Sequence, residues 1–369
     1  MEILFQHFAD ISWQMLVMWG IGGVLIYLAI AREMEPTLLL PMGFGAILVN
    51  LPGTGVQQVL DTLFTFGIAG AELFPLMLFI GIGAMIDFQP LLANPKLMIF
   101  GAAAQFGIFF TLGLASLLGY GLTDAASVSI IGAADGPTSI FVATELGSQY
   151  LGAIMVAAYS YMALVPMIQP PIIKLCTTRA ERRIRMQYRG KPVSKATKLL
   201  FPILVTVVVG AVAPDAVVLV GFLMFGNLIR ECGVMKSISE TAQTTLANLV
   251  TIFLGITIAS QMKAADFLRV DTLIIIGLGL VAFVFDTFGG IMVAKVMNLF
   301  LREKINPMIG AAGISAFPMS ARVVHKLGLE EDRQNYLLMH AVGVNVSGQI
   351  ASVIAGGLIL ALVRARMGG

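Results

Sequence analysis

IIGAADGPTSIFVA, residues 130–143, places one acid, Asp135, in an otherwise uncharged run and crowds Gly132, Gly136 and Pro137 around it. Glycine and proline interrupt helices. A carboxylate in hydrocarbon is costly and, where it occurs, faces a water-filled cavity or an ion path. The same few residues therefore break a helix and put a charge at the break. A second stretch has the same build: NPMIGAAGISAFPMSARVV, residues 306–324, carries Pro307, Gly310, Gly313 and Pro318. Neither segment, 126–145 or 305–325, reads as a simple span. Both read as helical hairpins or interrupted helices, tolerated at membrane depth where protein or a cavity covers the backbone.

The surrounding chain sets the solvent. Of 369 residues, 58% are hydrophobic and 12% charged, with a mean hydropathy of +0.90. Residues 97–122 and 146–173 carry no charge, and each run exceeds the roughly 20 residues that cross a bilayer as helix. Continuous apolar runs exclude the alternation of an outer-membrane barrel, and this much apolar surface excludes a soluble domain. Further spans are expected near 15–31, 37–52, 66–86, 97–120, 149–173, 199–213, 215–230, 245–262, 271–294 and 335–363. The first residues, MEILFQHFADISWQ, lack a basic region and a cleavage site, so no removable signal peptide is expected. Cys176 and Cys232 lack metal or CxxC spacing, as do His7, His325 and His340. No P-loop or Rossmann fingerprint is present, so ATP does not drive the chain directly.

The two halves resemble each other. PTLLLPMGFG at 36–45 aligns with PDAVVLVGFL at 214–223, and IFGAAAQFG at 99–107 with IIGLGLVAF at 275–283. IGAADG at 131–136 aligns with IGAAGI at 309–314, and YLGA at 150–153 with YLLM at 336–339. Four matches in order, at slowly drifting offset, argue for an internal repeat. Between the copies, residues 177–198 hold eight Lys or Arg and one acid. Five spans per copy would invert the second copy. With this connector inside and both broken segments re-entering on their own side, 19 of the 23 Lys and Arg fall inside, as basic loops do. The exceptions are Lys263, Arg269, Arg364 and Arg366. The expectation is an all-α polytopic membrane protein with about 10–11 transmembrane helices. It forms two inverted repeats, 1–176 and 199–369, joined by a basic cytoplasmic connector, 177–198, with broken helices or hairpins at the repeat interface. Secondary transporters are commonly built this way, with the ion site near the midplane.

Asp135 offers charge, and freed carbonyls offer neutral oxygens, a set suited to a hard cation such as Na⁺. In the second broken segment Asn306 and Ser315 offer oxygen donors, and Arg322 offers a guanidinium for a carboxylate. The last span brings Asn345, Ser347 and Gln349; the comparable first-copy span brings Tyr159, Ser160 and Tyr161. Asp286 is a further intramembrane acid, read equally as a second ion site or as a partner of Lys295. Glu72 and Asp87 read as interfacial. The residues alone describe a cation transporter with a carboxylate site and leave its energy source open.

Five stretches add a resemblance: IIGAADGPTSIFVA, GAIMVAAYSYMALVPMIQPPI, FGNLIRECGV, INPMIGAAGISAFPMSARVV and LLMHAVGVNVSGQIAS. Together they resemble the beta subunit of sodium-pumping, biotin-dependent decarboxylases, the family acting on oxaloacetate, methylmalonyl-CoA or glutaconyl-CoA. The resemblance implies a membrane subunit that decarboxylates carboxybiotin, consumes a proton and exports Na⁺. It implies Na⁺ as bound and transported ion, and carboxybiotin carried by a partner rather than attached to this chain. It matches the family's sodium-site acid to Asp135, its functional tyrosine to Tyr161 and its late asparagine to Asn345; the polar set matches Asn306, Gly310, Ser315 and Arg322. Asp135, Tyr161 and Arg322 would then be catalytic, with Arg322 holding carboxybiotin; Asp135, Asn306, Gly310, Ser315 and Asn345 would hold Na⁺. Implied partners are a carboxyltransferase alpha subunit, a biotin carrier protein or domain, and a small membrane-anchored gamma or delta subunit. A homo-oligomer such as a trimer in the bacterial cytoplasmic (inner) membrane is implied as well, and no nucleic acid. The alternatives are a cation–proton antiporter with no decarboxylase role and a structural anchor that only docks the decarboxylase.

Overall fold

The computed structural model describes residues 10–70, 72–188, 190 and 192–367. His7, Arg189, Lys191 and most of the N-terminal stretch tested for a signal peptide lie outside the described residues. Among the described residues the chain is helical and contains no strand. The first half runs α1 (Trp13–Ala31), α2 (Pro36–Val49), α3 (Val56–Ala69), α4 (Leu73–Met85), α5 (Pro95–Leu117), α6 (Leu122–Ala133), α7 (Gly136–Glu145) and α8 (Leu151–Cys176). The second runs α9 (Lys195–Val212), α10 (Val217–Cys232), α11 (Lys236–Gln261), α12 (Val270–Phe300), α13 (Met308–Ala311), α14 (Met319–Glu331) and α15 (Leu338–Met367).

Of the described helices, seven are long and apolar enough to cross a membrane, or eight if α3 and α4, bent by 58°, form one span. The protein is thus an all-α multi-pass membrane protein, as its hydropathy predicts. Shorter apolar helices lie at two further expected spans: α2 has 14 residues and α10 has 16. Glu72 sits at the α3–α4 break, partly buried.

Both broken segments fold back on themselves. Just past α7, Ser148 Oγ and Gln149 Nε2 donate to the Asp124 carboxylate in the first turn of α6, at 2.7 and 3.0 Å. This tie closes hairpin one. In hairpin two, Nδ2 of Asn306 before α13 and Nδ2 of Asn335 beyond α14 both donate to the Arg182 carbonyl, at 2.8 and 2.9 Å. Each hairpin therefore begins and ends on one side. Their tips meet inside the protein, where the Ser315 N–H donates to the Ala133 carbonyl at 2.9 Å.

Packing between the halves is reciprocal. Helix α2 lies on α11 as α10 lies on α4; α8 lies on α12 as α15 lies on the first part of α5; α7 lies on α15 as α14 lies on α8. Helix α15 is the central element, with 72% of its most apolar stretch inside protein, against 11% for α9. Ion pairs between separate elements fall into two groups. Lys263 pairs with Asp61, and Arg364 with Glu145 and Asp215, all on one side; Arg182 pairs with Glu331, Arg185 with Asp332 and Lys198 with Glu231, all on the other. The Arg182 guanidinium, hydrogen-bonded to Glu331, holds that carboxyl below its usual range. These contacts fasten the connector to the base of hairpin two.

Candidate functional site

The tip of hairpin one is built by its sequence. The last turn of α6 tightens to a 3₁₀ turn over Ile130–Ala133, and Ala134 takes a left-handed φ of 51°. Asp135 then becomes extended and caps α7. Aspartate is a preferred N-cap. Pro137 fits the first helical turn, where its missing N–H leaves no bond unmade. The Asp135 carboxylate accepts the Thr138 N–H at 3.3 Å and the Thr138 hydroxyl at 2.8 Å.

Helix α15 closes the other side. Gln349 Nε2 and Ser352 Oγ donate to Asp135 Oδ2 at 3.3 and 2.9 Å. Asn345, Gln349 and Ser352 are spaced i, i+4, i+7, which puts them on one helix face. Asp135 is only 2% exposed, and these four donors are all neutral. Neutral hydrogen bonds lessen the cost of a buried charge without cancelling it, so the carboxyl is neutralised by a bound cation or by a proton. Oxygens able to help hold one are at hand. Gln349 Oε1, Asn345 Oδ1 and the Tyr159 hydroxyl are buried without hydrogen-bond partners. The Tyr159 ring lies against Gly136, where a Cβ would come within 2.4 Å of it. Asn345 Nδ2 donates to the Ala312 and Ile314 carbonyls in hairpin two, at 3.1 and 2.7 Å. One carboxylate with amide and hydroxyl oxygens is the donor chemistry of a hard cation.

The structure gathers some expected site residues here and puts others elsewhere. Asn345 joins the Asp135 face of α15. Ser315 supplies the tip-to-tip bond, and its Oγ donates to the Gly348 carbonyl of α15 at 3.0 Å. Gly310 lies in a backbone crossing with α12, where its added Cβ would stand 2.0 Å from the Gly290 carbonyl oxygen. Tyr161 points its hydroxyl at the Ile276 carbonyl of α12; Tyr159 is the tyrosine beside Asp135. Arg322 is exposed on the first turn of α14. It acts on Glu35, whose carboxyl burial raises and the Arg322 charge pulls back. Asn306 is spent at the base of hairpin two: its Nδ2 serves the Arg182 and Ile184 carbonyls, and its Oδ1 accepts the Met308 N–H. Lys295 binds Glu181 and the Cys176 carbonyl, which excludes it as the partner of Asp286. Cys176 and Cys232 are free thiols.

Thr138 and Ser352 went unassigned in the sequence. A Thr three residues after an N-cap acid was the available signal for the first, and i+7 spacing from Asn345 for the second. For Asn306→Ala, the expected result is faster limited proteolysis within 177–198 and unchanged Na⁺ affinity, because the Ile184 carbonyl loses its donor, at about 1–3 kcal/mol, and the Arg182 carbonyl is left with Asn335 alone. A tenfold loss of Na⁺ affinity, measured by equilibrium binding, would instead make Asn306 an ion ligand.

A family model described as "Na⁺-transporting oxaloacetate decarboxylase beta subunit" matches residues 14–363. The chain is 48% identical over 347 residues to the methylmalonyl-CoA decarboxylase subunit beta of Veillonella parvula, covering 94% of this chain and 92% of that protein. It is 47% identical over 357 residues to the glutaconyl-CoA decarboxylase subunit beta of Acidaminococcus fermentans, covering 96% and 95%. It is 44% identical over 412 residues to the oxaloacetate decarboxylase beta chain of Klebsiella pneumoniae, covering 95% of each.

Proposed function

Because the chain belongs to the family of Na⁺-transporting oxaloacetate decarboxylase beta subunits, we propose that it is the membrane subunit of a decarboxylase sodium pump, working at Asp135. It decarboxylates carboxybiotin brought by a partner and couples that reaction to Na⁺ export. The observation that carries the assignment of the site is the buried Asp135 carboxylate, held by neutral donors alone beside unpartnered oxygens. Asp135, Asn345, Gln349, Thr138, Ser352 and Tyr159 are the proposed ion-binding set. Ser315 holds the two tips and α15 in register around it. The two halves act as inverted repeats, a reading supported by their reciprocal packing and by the sidedness of the ion pairs. Relative motion of the two hairpins then exposes the site to one side at a time.

Decarboxylation releases CO₂ from the N-carboxyl group and leaves the electron pair on the biotin ureido nitrogen, which takes up a proton. Arg322, exposed on the cytoplasmic hairpin, pairs with the carboxylate of carboxybiotin. Tyr161 stands two residues from Tyr159 and is the proposed neighbour of the proton route. Na⁺ and a proton compete for the Asp135 carboxylate, so uptake of one favours release of the other. The connector 177–198 faces the cytoplasm of a bacterial inner membrane, where a carboxyltransferase, a biotin carrier and a small membrane-anchored subunit complete the enzyme. The partner carboxyltransferase selects the acid.

The test is reconstitution. Vesicles holding the protein are expected to take up Na⁺ when given free carboxybiotin; uptake driven by a pH gradient alone would favour a cation–proton antiporter. With Arg322→Ala, the KM for carboxybiotin is expected to rise about tenfold or more, the loss of ~1.4 kcal/mol or more, while the KM for Na⁺ changes less. The reverse pattern would remove Arg322 from the carboxybiotin site.

A further inference from the structure

Among the described residues, two acids are fully buried, Asp135 and Asp286. Asp286 lies in the middle of α12 and is 0% exposed. Its Oδ1 accepts the Ile108 N–H at 3.2 Å, on the helical part of α5 that restarts after a break at Ala104–Gln105. Its Oδ2 has no hydrogen-bond partner and abuts the 3₁₀ turn of hairpin one. A Cβ on Gly132 would come within 2.6 Å of Oδ2, and one on Gly107 within 2.7 Å of Oδ1. The carboxyl is thus clasped between two bare backbones.

Among the described residues no neighbouring charge balances it. On α12 itself, Asp271 lies in the first turn and Lys295 is engaged by Glu181. Helices α5 and α6 carry Lys96 and Asp124 only near their starts. Tyr161 of α8 spends its hydroxyl on Ile276, and Asp135 of hairpin one faces α15. An uncompensated buried carboxylate costs several kcal/mol. A Na⁺ ion needs several oxygens around it, and the space is too tight for a methyl group. A proton fits.

We infer that Asp286 is a second protonation site of the transport cycle, neutral while hairpin one rests on α12 and ionised when the tip moves away. This rests on the pump proposed above. In the step, the O–H bond at Oδ2 breaks, its electron pair stays on the oxygen, and the proton passes to water admitted by the displaced tip. Movement of the hairpin that carries Asp135 thereby moves a proton at Asp286.

Two measurements on the full-length protein in lipid test this. The first is the infrared spectrum of an Asp135→Asn background, in which Asp286 is the remaining fully buried acid. A protonated-carboxyl carbonyl band is expected, and it is expected to vanish on adding Asp286→Asn. Absence of the band, or its survival in the double variant, overturns the inference, and the first of these readings needs no Asp286 variant. The second is carboxybiotin-driven Na⁺ uptake by Asp286→Asn alone, which keeps an oxygen for the Ile108 amide. Uptake is expected to fall tenfold or more while Na⁺ still raises the melting temperature as in the unsubstituted protein. Unchanged uptake would make Asp286 a neutral helix cap and overturn the proposal. Failure of the unsubstituted protein to respond to carboxybiotin would overturn the pump assignment instead, and the infrared band would stand apart from it.

Discussion

Asp135→Asn is expected to abolish Na⁺-dependent decarboxylation of carboxybiotin and to leave a folded protein in the membrane. The two halves of that outcome have separate causes. Asparagine keeps an oxygen at the N-cap, so the Thr138 N–H retains its acceptor and α7 its start. What disappears is the negative charge that a cation needs in a site otherwise made of amides and hydroxyls. Removing one partner of a buried charge pair costs about 3–5 kcal/mol, roughly a hundredfold to several thousandfold in affinity. Na⁺-stimulated CO₂ release from free carboxybiotin, read beside thermal unfolding, separates the two. Activity within twofold of the unsubstituted protein would remove Asp135 from the ion site. An unfolded variant would show that the carboxylate is needed for the hairpin itself.

The sequence foretold this site to the extent that its physics is local. A helix break and an acid in one stretch are visible in residues 130–143, and so is the second break without an acid. Asn345 was reachable from its place in an apolar span. The co-ligands were harder. Thr138 and Ser352 are ordinary hydroxyl residues until a hairpin tip is set against α15. Tyr159 and Tyr161 lie on one helix, two residues apart and on different faces. Which of them meets Asp135 depends on how α8 is rotated against α12 and hairpin one, and apolar composition does not set that rotation. Asn306 carries a polar side chain into a broken helix just as Asn345 does in its span. Its hydrogen bonds go to a connector some 120 residues away in sequence, a contact that no local pattern encodes. The fold class, by contrast, follows from hydropathy. The short helices α2 and α10 were legible too, as the 16-residue apolar runs 37–52 and 215–230.

Gly310→Ala is expected to lower the melting temperature strongly while leaving Na⁺ affinity of the folded fraction within about twofold. Family resemblance makes Gly310 part of the ion site, and the geometry gives the same glycine a different job. Its Cβ would meet the Gly290 carbonyl oxygen at 2.0 Å, the Gly290 carbonyl carbon at 2.4 Å and the Ile291 nitrogen at 3.0 Å. All three are backbone atoms of α12, so no side-chain rotation relieves the clash, and helix and hairpin must separate. Small-to-large changes in packed interiors cost about 1–3 kcal/mol and occasionally more; a backbone-on-backbone clash belongs at the upper end. At ~2–4 °C per kcal/mol, that is a fall of roughly 6–12 °C. The crossing is mutual, since a Cβ on Gly290 would stand 2.1 Å from the Gly310 carbonyl oxygen. Gly290→Ala should therefore reproduce the loss, although Gly290 was never a candidate ligand. If Gly310→Ala instead kept its melting temperature and lost Na⁺ binding while Gly290→Ala did not, the carbonyl of Gly310 would be an ion ligand. Matching losses of stability in the two variants would fix this pair as the seam holding hairpin two to α12.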